Sequence, residues 1–315
     1  MLLDRELGWL VLGTLGVLGT GSAVGAVLRR RATTESSRKT VDNLVARVDA
    51  WWVMVALIVG ALALGRHGVL ALFAAISFLA LRELLTLTPT RRADHMPLFS
   101  AFFYALPLQY LLVWSGWYGL FSIALPVYFF LYLSFRVAVT ADTRGYLTRV
   151  ATIYYGVMIG VYCLSHAPAL FLLRIPGHEG LEHHLVVFLI AVVQLSDVLQ
   201  YVWGKLLGRR PLAPTLSPNK TLEGFVGGVG TAMLVGVALS PITPFTWWQA
   251  GAFALVIALA GVAGGLVTSA IKRDAGIKDY GDLIPGHGGV MDRVDSLAFA
   301  APLFFHLVRW FFSDR

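Results

Sequence analysis

WWQAGAFALVIALAGVAGGLVTSAIKRDAGIKDYGDLIPGHGGVMDRVD, residues 247 to 295, sets the terms on which the whole chain is read. Trp247 to Ile271 carries no charged side chain and is long enough to cross a bilayer, for which about 20 apolar residues suffice. The polarity then changes abruptly. Between Ser269 and Asp295 stand Lys272, Arg273, Lys278 and Arg293 against Asp274, Asp279, Asp282, Asp292 and Asp295, with His287 among glycines. A chain that has lipid for its solvent concentrates charge in this way where a task requires it.

The spacing within that stretch suggests a phosphate and metal site. Lys272 and Arg273 end the apolar run, one as a compact point charge and the other as a planar fork, and both can meet phosphate oxygens. Asp292 and Asp295 share one face of a helix and can hold a hard cation such as Mg2+. Pro285, Gly286, Gly288 and Gly289 exclude a regular helix and permit a tight turn around His287 that points amide groups at an anion. The competing reading is a solvated loop between two spans.

The order of the residues favours the first reading. It resembles the signature of the phosphatidate cytidylyltransferases (CDP-diacylglycerol synthases): Ser269, then Lys272-Arg273, Lys278-Asp279, Pro285, His287-Gly288-Gly289, Asp292-Arg293 and Asp295, with apolar residues between them.

Composition agrees with a membrane setting. Of 315 residues 57% are hydrophobic and 14% charged, and the mean hydropathy is +0.72. Soluble domains carry roughly 25% charged residues, so the chain reads as an integral membrane protein. Its single cysteine, Cys163, excludes an internal disulfide and reads as a small apolar residue within a span. The net charge of +7 fits a basic face over anionic lipid. Nothing interleaves basic and aromatic residues as a nucleic-acid reader would, so no nucleic-acid partner is expected. Asp4 and Glu6 precede the first apolar run and Arg29 to Arg31 follow it, the reverse of a cleaved signal, which predicts a retained first span with its N-terminus outside.

The expected fold is all-α and polytopic, with about ten spans: 7–28, 51–65, 68–87, 98–114, 117–135, 150–173, 185–203, 225–240, 247–271 and 296–312. Nine remains open, because the second and third are parted only by Arg66-His67-Gly68 and can form a short hairpin. On this map 20 of the 25 Lys and Arg residues fall on one side. That side is therefore predicted to be cytoplasmic, in the cell membrane, and includes loops 204–224 and 272–295.

Residues 1–150 offer little chemistry, and 151–315 hold the expected catalytic helices. Segment 32–50 reads either as an amphipathic helix on the headgroups, with Leu44, Val45 and Val48 down, or as a linker. Arg82 and Glu83 read as a local interfacial pair, with a substrate contact left open. Glycine pairs four apart, at 21/25, 156/160, 224/228 and 261/265, allow close helix packing. Packing within one chain is the default for them, and a homodimer the alternative. In the outer loop, His178, Glu179, Glu182, His183 and His184 lack the spacing of a metal binder and read as solvated.

A second polar cluster begins inside the seventh span, where Asp197 would cost roughly 2.5 to 3.5 kcal/mol without a partner or a task. It lies about 12 Å along a helix from Lys205, so a cation reached from the cytoplasm can offset that cost, and Tyr201 shares its face. The alternative is a hydrogen bond to a neighbouring span. Beyond it, Arg209, Arg210 and Lys220, with Ser217, Asn219 and Thr221, suit a phosphate, although Asn219, Lys220 and Glu223 can equally cap a helix beginning at Thr221. No Walker loop is present. The run resembles the same family's second block through Asp197, Tyr201, Gly204, Gly208, Ser217, Pro218, Lys220, Thr221, Glu223, Gly224, Gly227 and Gly228. Gln200 departs from it, standing where the family usually has a small residue, which bears on acceptor specificity.

The resemblance implies transfer of a cytidylyl group from CTP to phosphatidate, with Asp197, Asp292 and Asp295 on the metal and Asp279 a further candidate ligand. Lys220, Lys272, Arg273, Lys278 and Arg293 would hold phosphates, and His287 would either donate to the leaving pyrophosphate or fix its own turn. The alternatives are a CTP-dependent enzyme acting on another lipid, such as a polyprenol kinase, and a proton-coupled transporter.

Overall fold

The computed structural model describes residues 5–31, 34–87, 91–284, 286 and 288–314. In hydrocarbon a chain must satisfy its own backbone groups, and these apolar runs do so as helices. Nine helices among the described residues are long and apolar enough to cross a membrane: α1 (Arg5–Arg31), α2 (Glu35–Ala63), α3 (Gly65–Thr86), α4 (Arg92–Ser115), α5 (Tyr118–Ala138), α6 (Tyr146–Leu172), α7 (Glu182–Leu207), α9 (Trp247–Asp274) and α10 (Met291–Phe312). Between α7 and α9 lies the shorter apolar helix α8 (Leu222–Ala238), of 17 residues. The protein is thus an all-α polytopic membrane protein, and its ten apolar helices fall on the ten expected spans.

Three details differ from the expectation. Residues 35–50 are neither a linker nor a separate surface helix, because they continue into the second span as α2. Val45 and Val48 face α1, where side chains placed at Gly25 and Gly21 would meet them at 3.0 and 3.6 Å, whereas Leu44 stays exposed. The chain then reverses at Leu64 and Gly65, ahead of the predicted 66–68 turn, with Gly65 at φ +71°. Arg66 donates from Nη2 to the carbonyls of Val113 (3.0 Å) and Trp114 (2.6 Å), supplying partners that the end of α4 lacks. Finally, the loop after α7 folds as a β-hairpin, β1 (Pro211–Ala213) against β2 (Ser217–Thr221).

Helices α4, α5 and α6 contain π-helical turns at Ala101–Ala105, Ala124–Phe129 and Met158–Cys163. Proline lies within or shortly after each, at Pro107, Pro126 and Pro168; proline cannot donate and crowds the preceding carbonyl, and a widened turn absorbs that mismatch.

A single buried apolar cluster runs from Ala61 to Val308 and includes residues on both sides of position 150. A smaller one, Val229, Ala232, Ala258 and Val262, joins α8 to α9. All four glycine pairs pack inside the chain: besides 21/25, Gly156 and Gly160 face Leu85 and Leu81 of α3, Gly224 and Gly228 face Gln200 of α7, and Gly261 and Gly265 face Ser296 and Lys220. At Gly228 a Cβ would lie 2.3 Å from Gln200 Cγ and 2.7 Å from its backbone. Gly228→Ala must therefore push α7 from α8 and is expected to cost about 1–3 kcal/mol, read as an earlier thermal unfolding in detergent. An unchanged unfolding temperature would show that the contact is not tight.

Two of the three histidines in the 174–185 segment are not solvated as expected. His183 and His184 are each 2% exposed, their rings tilted against one another within the first turn of α7 at a separation of 4.5 Å.

Candidate active site

The end of α9, the loop after it and the start of α10 form one fastened unit. Lys272 reaches from the last turn of α9 to Asp292 in the first turn of α10, Nζ to Oδ1 at 2.8 Å. The other carboxylate oxygen, Oδ2, accepts from the amides of Tyr280 (2.8 Å) and Gly289 (3.0 Å). Asp292 therefore closes the loop on itself, and both of its oxygens are engaged by nitrogen donors. Tyr280 adds a further tie by donating its hydroxyl to the Thr268 carbonyl at 3.1 Å. Burial pushes the Tyr280 phenol far above its ordinary pKa, aided by the Asp292 and Asp295 carboxylates, so it stays a donor.

The predicted turn is present. Ile284 and Gly288 pair across it, and Gly286 and Gly288 adopt φ of +72° and +84°. Its amides do point at anions, but at the protein's own. Besides the Gly289 bond to Asp292, the amides of Val290 (2.9 Å) and Met291 (2.7 Å) donate to the two oxygens of Glu83 on α3. Glu83 is thus not the local partner of Arg82 that sequence order suggested, because its carboxylate is committed to a helix start more than 200 residues later. Pro285 and His287 lie outside the described residues.

The hairpin supplies the opposite wall. Thr221 caps α8, its Oγ1 accepting from the Gly224 amide at 3.1 Å, and Glu223 accepts from the amides of Arg209 (2.9 Å) and Arg210 (3.1 Å), closing the hairpin base. Arg273 ties the hairpin turn to α9 by donating to the Leu216 carbonyl at 3.2 Å. So held, β2 extends Lys220 across the face of α9 to Gly265, where even a methyl group would come within 2.7 Å of Nζ. Lys220 there attracts both Asp197 and Asp295.

Asp197 on α7 and Asp295 on α10 lie near enough to repel one another, and Ser296 lines the cleft with them. Asp295 accepts from Thr268 Oγ1 at 3.0 Å and from the Ser296 amide at 2.7 Å. Arg293, between Asp292 and Asp295 in sequence, has a buried Nε with no hydrogen-bond partner among the described residues. A buried, unsatisfied guanidinium nitrogen beside a cavity marks a place for an acceptor.

These side chains open on one cleft of about 600 Å3. Among the sequence candidates its lining includes Asp197, Tyr201, Asn219, Lys220, Thr221, Asp292, Arg293 and Asp295; Gln200 and Lys205 join them. Two segments separated by the whole of α8 and α9 thus converge. Ser217, Glu223, Lys272, Arg273, Lys278 and Asp279 lie outside the lining. Of these, Glu223, Lys272 and Arg273 hold its walls together, and Lys278 and Asp279 are exposed. The sequence did not point to Thr268, Tyr280 or Ser296, nor to the role of Glu83 at the start of α10. Only Glu83 left a signal, as a carboxylate at the end of an apolar run.

Among the described residues no group of three or more His, Cys, Asp or Glu side chains has metal-binding geometry. The donor set suits a different arrangement. Mg2+ is commonly held by one or two carboxylates with water and substrate phosphates completing its shell, and Asp197 with Asp295 offers a pair of all-oxygen ligands beside a space for phosphate.

The chain matches the cytidylyltransferase family over residues 45–311. It is 41% identical over 269 residues to the Escherichia coli (strain K12) protein named "Uncharacterized protein YnbB", covering 85% of this chain and 88% of that one. It is also 43% identical over 127 residues to the phosphatidate cytidylyltransferase of Staphylococcus aureus (strain COL), and 40% over 127 residues to that of Staphylococcus haemolyticus (strain JCSC1435). These latter matches cover 40% of this chain and 48%, about half, of the length of each relative.

Proposed function

Because the chain belongs to the cytidylyltransferase family, we propose that it transfers CMP from CTP to phosphatidate, giving CDP-diacylglycerol and pyrophosphate. The observation that carries this reading is the meeting of Asp197, Lys220, Arg293 and Asp295 in one cleft. In the reaction a phosphate oxygen of the lipid attacks the α-phosphorus of CTP. A new P–O bond forms there as the bond to the β-phosphate bridging oxygen breaks, and pyrophosphate leaves with that electron pair. The nucleophile is already ionised at neutral pH, so no serine, cysteine or general base is needed.

What remains for the protein is to align two polyanions and offset their repulsion. Lys220 and Arg293 neutralise phosphate oxygens, the latter through its unsatisfied Nε. Tyr201, Asn219 and Thr221 supply hydrogen bonds along the lining. Asp197 and Asp295 would hold Mg2+, which when bound neutralises and aligns the triphosphate. Asp292, whose oxygens are already engaged by Lys272 and two amides, keeps the wall in place. The cleft faces the cytoplasm in this reading, on the side that carries most of the Lys and Arg residues and has access to CTP.

Purified protein supplied with CTP labelled at the α-phosphate, Mg2+ and phosphatidate vesicles is expected to yield a labelled lipid and free pyrophosphate. A panel of other lipid acceptors tests the specificity on which Gln200 bears. Release of CDP in place of pyrophosphate would identify a kinase, and absence of any nucleotide turnover would overturn the reading.

A further inference from the structure

We propose that Glu83 is a positioning residue: from α3, outside the cleft, it sets the start of α10 and through it the placement of Arg293 and Asp295. The inference rests on the reading of the cleft given above. The first amides of a helix have no partner within it, and α10 brings no side-chain cap of its own, its N-cap residue being Val290. Three consecutive amides there, those of Gly289, Val290 and Met291, all donate to carboxylates, the first to Asp292 and the next two to Glu83. Glu83 divides its oxygens, Oε1 to Val290 and Oε2 to Met291, so the carboxylate fixes both the position of the helix start and its rotation about the axis. Its charge also complements the positive end of the helix.

The surroundings are shaped around this carboxylate. A Cβ at Gly289 would lie 2.5 Å from Oε2 and one at Gly281 would lie 3.2 Å from Oε1, so two loop glycines make room for it. Glutamine has the same shape but replaces one acceptor with an NH2 group facing an N–H. That substitution therefore tests the second bond at nearly constant volume. Arg293 lies in the first turn of α10 and Asp295 just after it, so a rotation or shift of the helix start moves both relative to Lys220 and Asp197. Alignment errors of about 1 Å cost roughly 10²-fold in rate.

The test uses the full chain in lipid nanodiscs. In Glu83→Gln, amides 290 and 291 are expected to exchange hydrogen about tenfold faster, as loss of one hydrogen bond implies, while those of α9 are unchanged. The kcat is expected to fall roughly 10²-fold with the KM for CTP within about twofold. Gly289→Ala, which displaces the same carboxylate from the other side, should reproduce both effects. Adding Glu83→Gln to Arg293→Lys should cost much less than it does in the wild type, because both act on one alignment. Unchanged exchange at 290 and 291, wild-type kcat in Glu83→Gln, or simple additivity with Arg293→Lys overturns the proposal. Wild-type protein without nucleotidyl transfer would instead overturn the cytidylyltransferase reading, and the exchange measurements would still decide the role of Glu83.

Discussion

Asp295→Asn is expected to lower cytidylyl transfer by roughly 10³-fold while the protein is still extracted folded. The two bonds that Asp295 accepts need only local adjustment. The Ser296 amide keeps an acceptor in the asparagine carbonyl, and the Thr268 hydroxyl can rotate to accept from the new NH2 group. What cannot be replaced is the second negative oxygen facing Asp197, and with it the pair suited to a hard divalent cation. Asp197→Asn is expected to behave alike, from the other wall. Initial rates over a range of Mg2+ concentrations check the assignment, since a lost ligand also raises the concentration at which the remaining rate saturates. Rates within tenfold of wild type in both variants would remove these carboxylates from the chemistry.

The second large effect separates stability from catalysis at Lys272 and Asp292. Their side chains are 14% and 4% exposed and meet at 2.8 Å. Removing one partner of such a pair strands the other, at a cost of roughly 3 kcal/mol or more. Lys272→Met leaves Asp292 with two backbone donors, and Asp292→Asn turns an NH2 group toward the Lys272 ammonium. Each single variant is expected to unfold earlier and to lose at least about 10²-fold in turnover, because the loop they close carries the start of α10. The double variant is expected to recover most of the stability: the asparagine carbonyl still accepts from Tyr280 and Gly289, and neither position keeps a buried charge without its partner. Its turnover should stay low. Thermal unfolding and transfer assays on the four proteins check this, and a double variant no more stable than either single one would show that the pair is not coupled.

Much of the architecture was legible because lipid imposes a simple rule on sequence. Apolar runs had to be helices, and Asp197, lying inside one, had to meet a partner or perform a task. The second short motif could be located but not shaped: nothing in RRPLAPTLSPNKT shows that it turns back as a hairpin pairing Pro211 with Thr221, its base held by Glu223 of α8. Roles within the long motif were less legible still. Spacing placed Asp292 and Asp295 on one helical face, yet the loop amides and Lys272 claim the first and leave the second open to the cleft. That division depends on the path of residues 275–290, which the local sequence does not specify. Glu83 was legible as a carboxylate closing a span, but its partners were not, as they come from the far end of the chain.

At 17 residues α8 rises about 25 Å, less than the roughly 30 Å of hydrocarbon that its neighbours can cross. A bilayer that thinned to match it would bring the hairpin and Lys220 at its start toward the acyl–headgroup junction. On the proposed reading an acceptor lipid reacts without rising out of its leaflet. The nucleotide, already dissolved in water, descends to it.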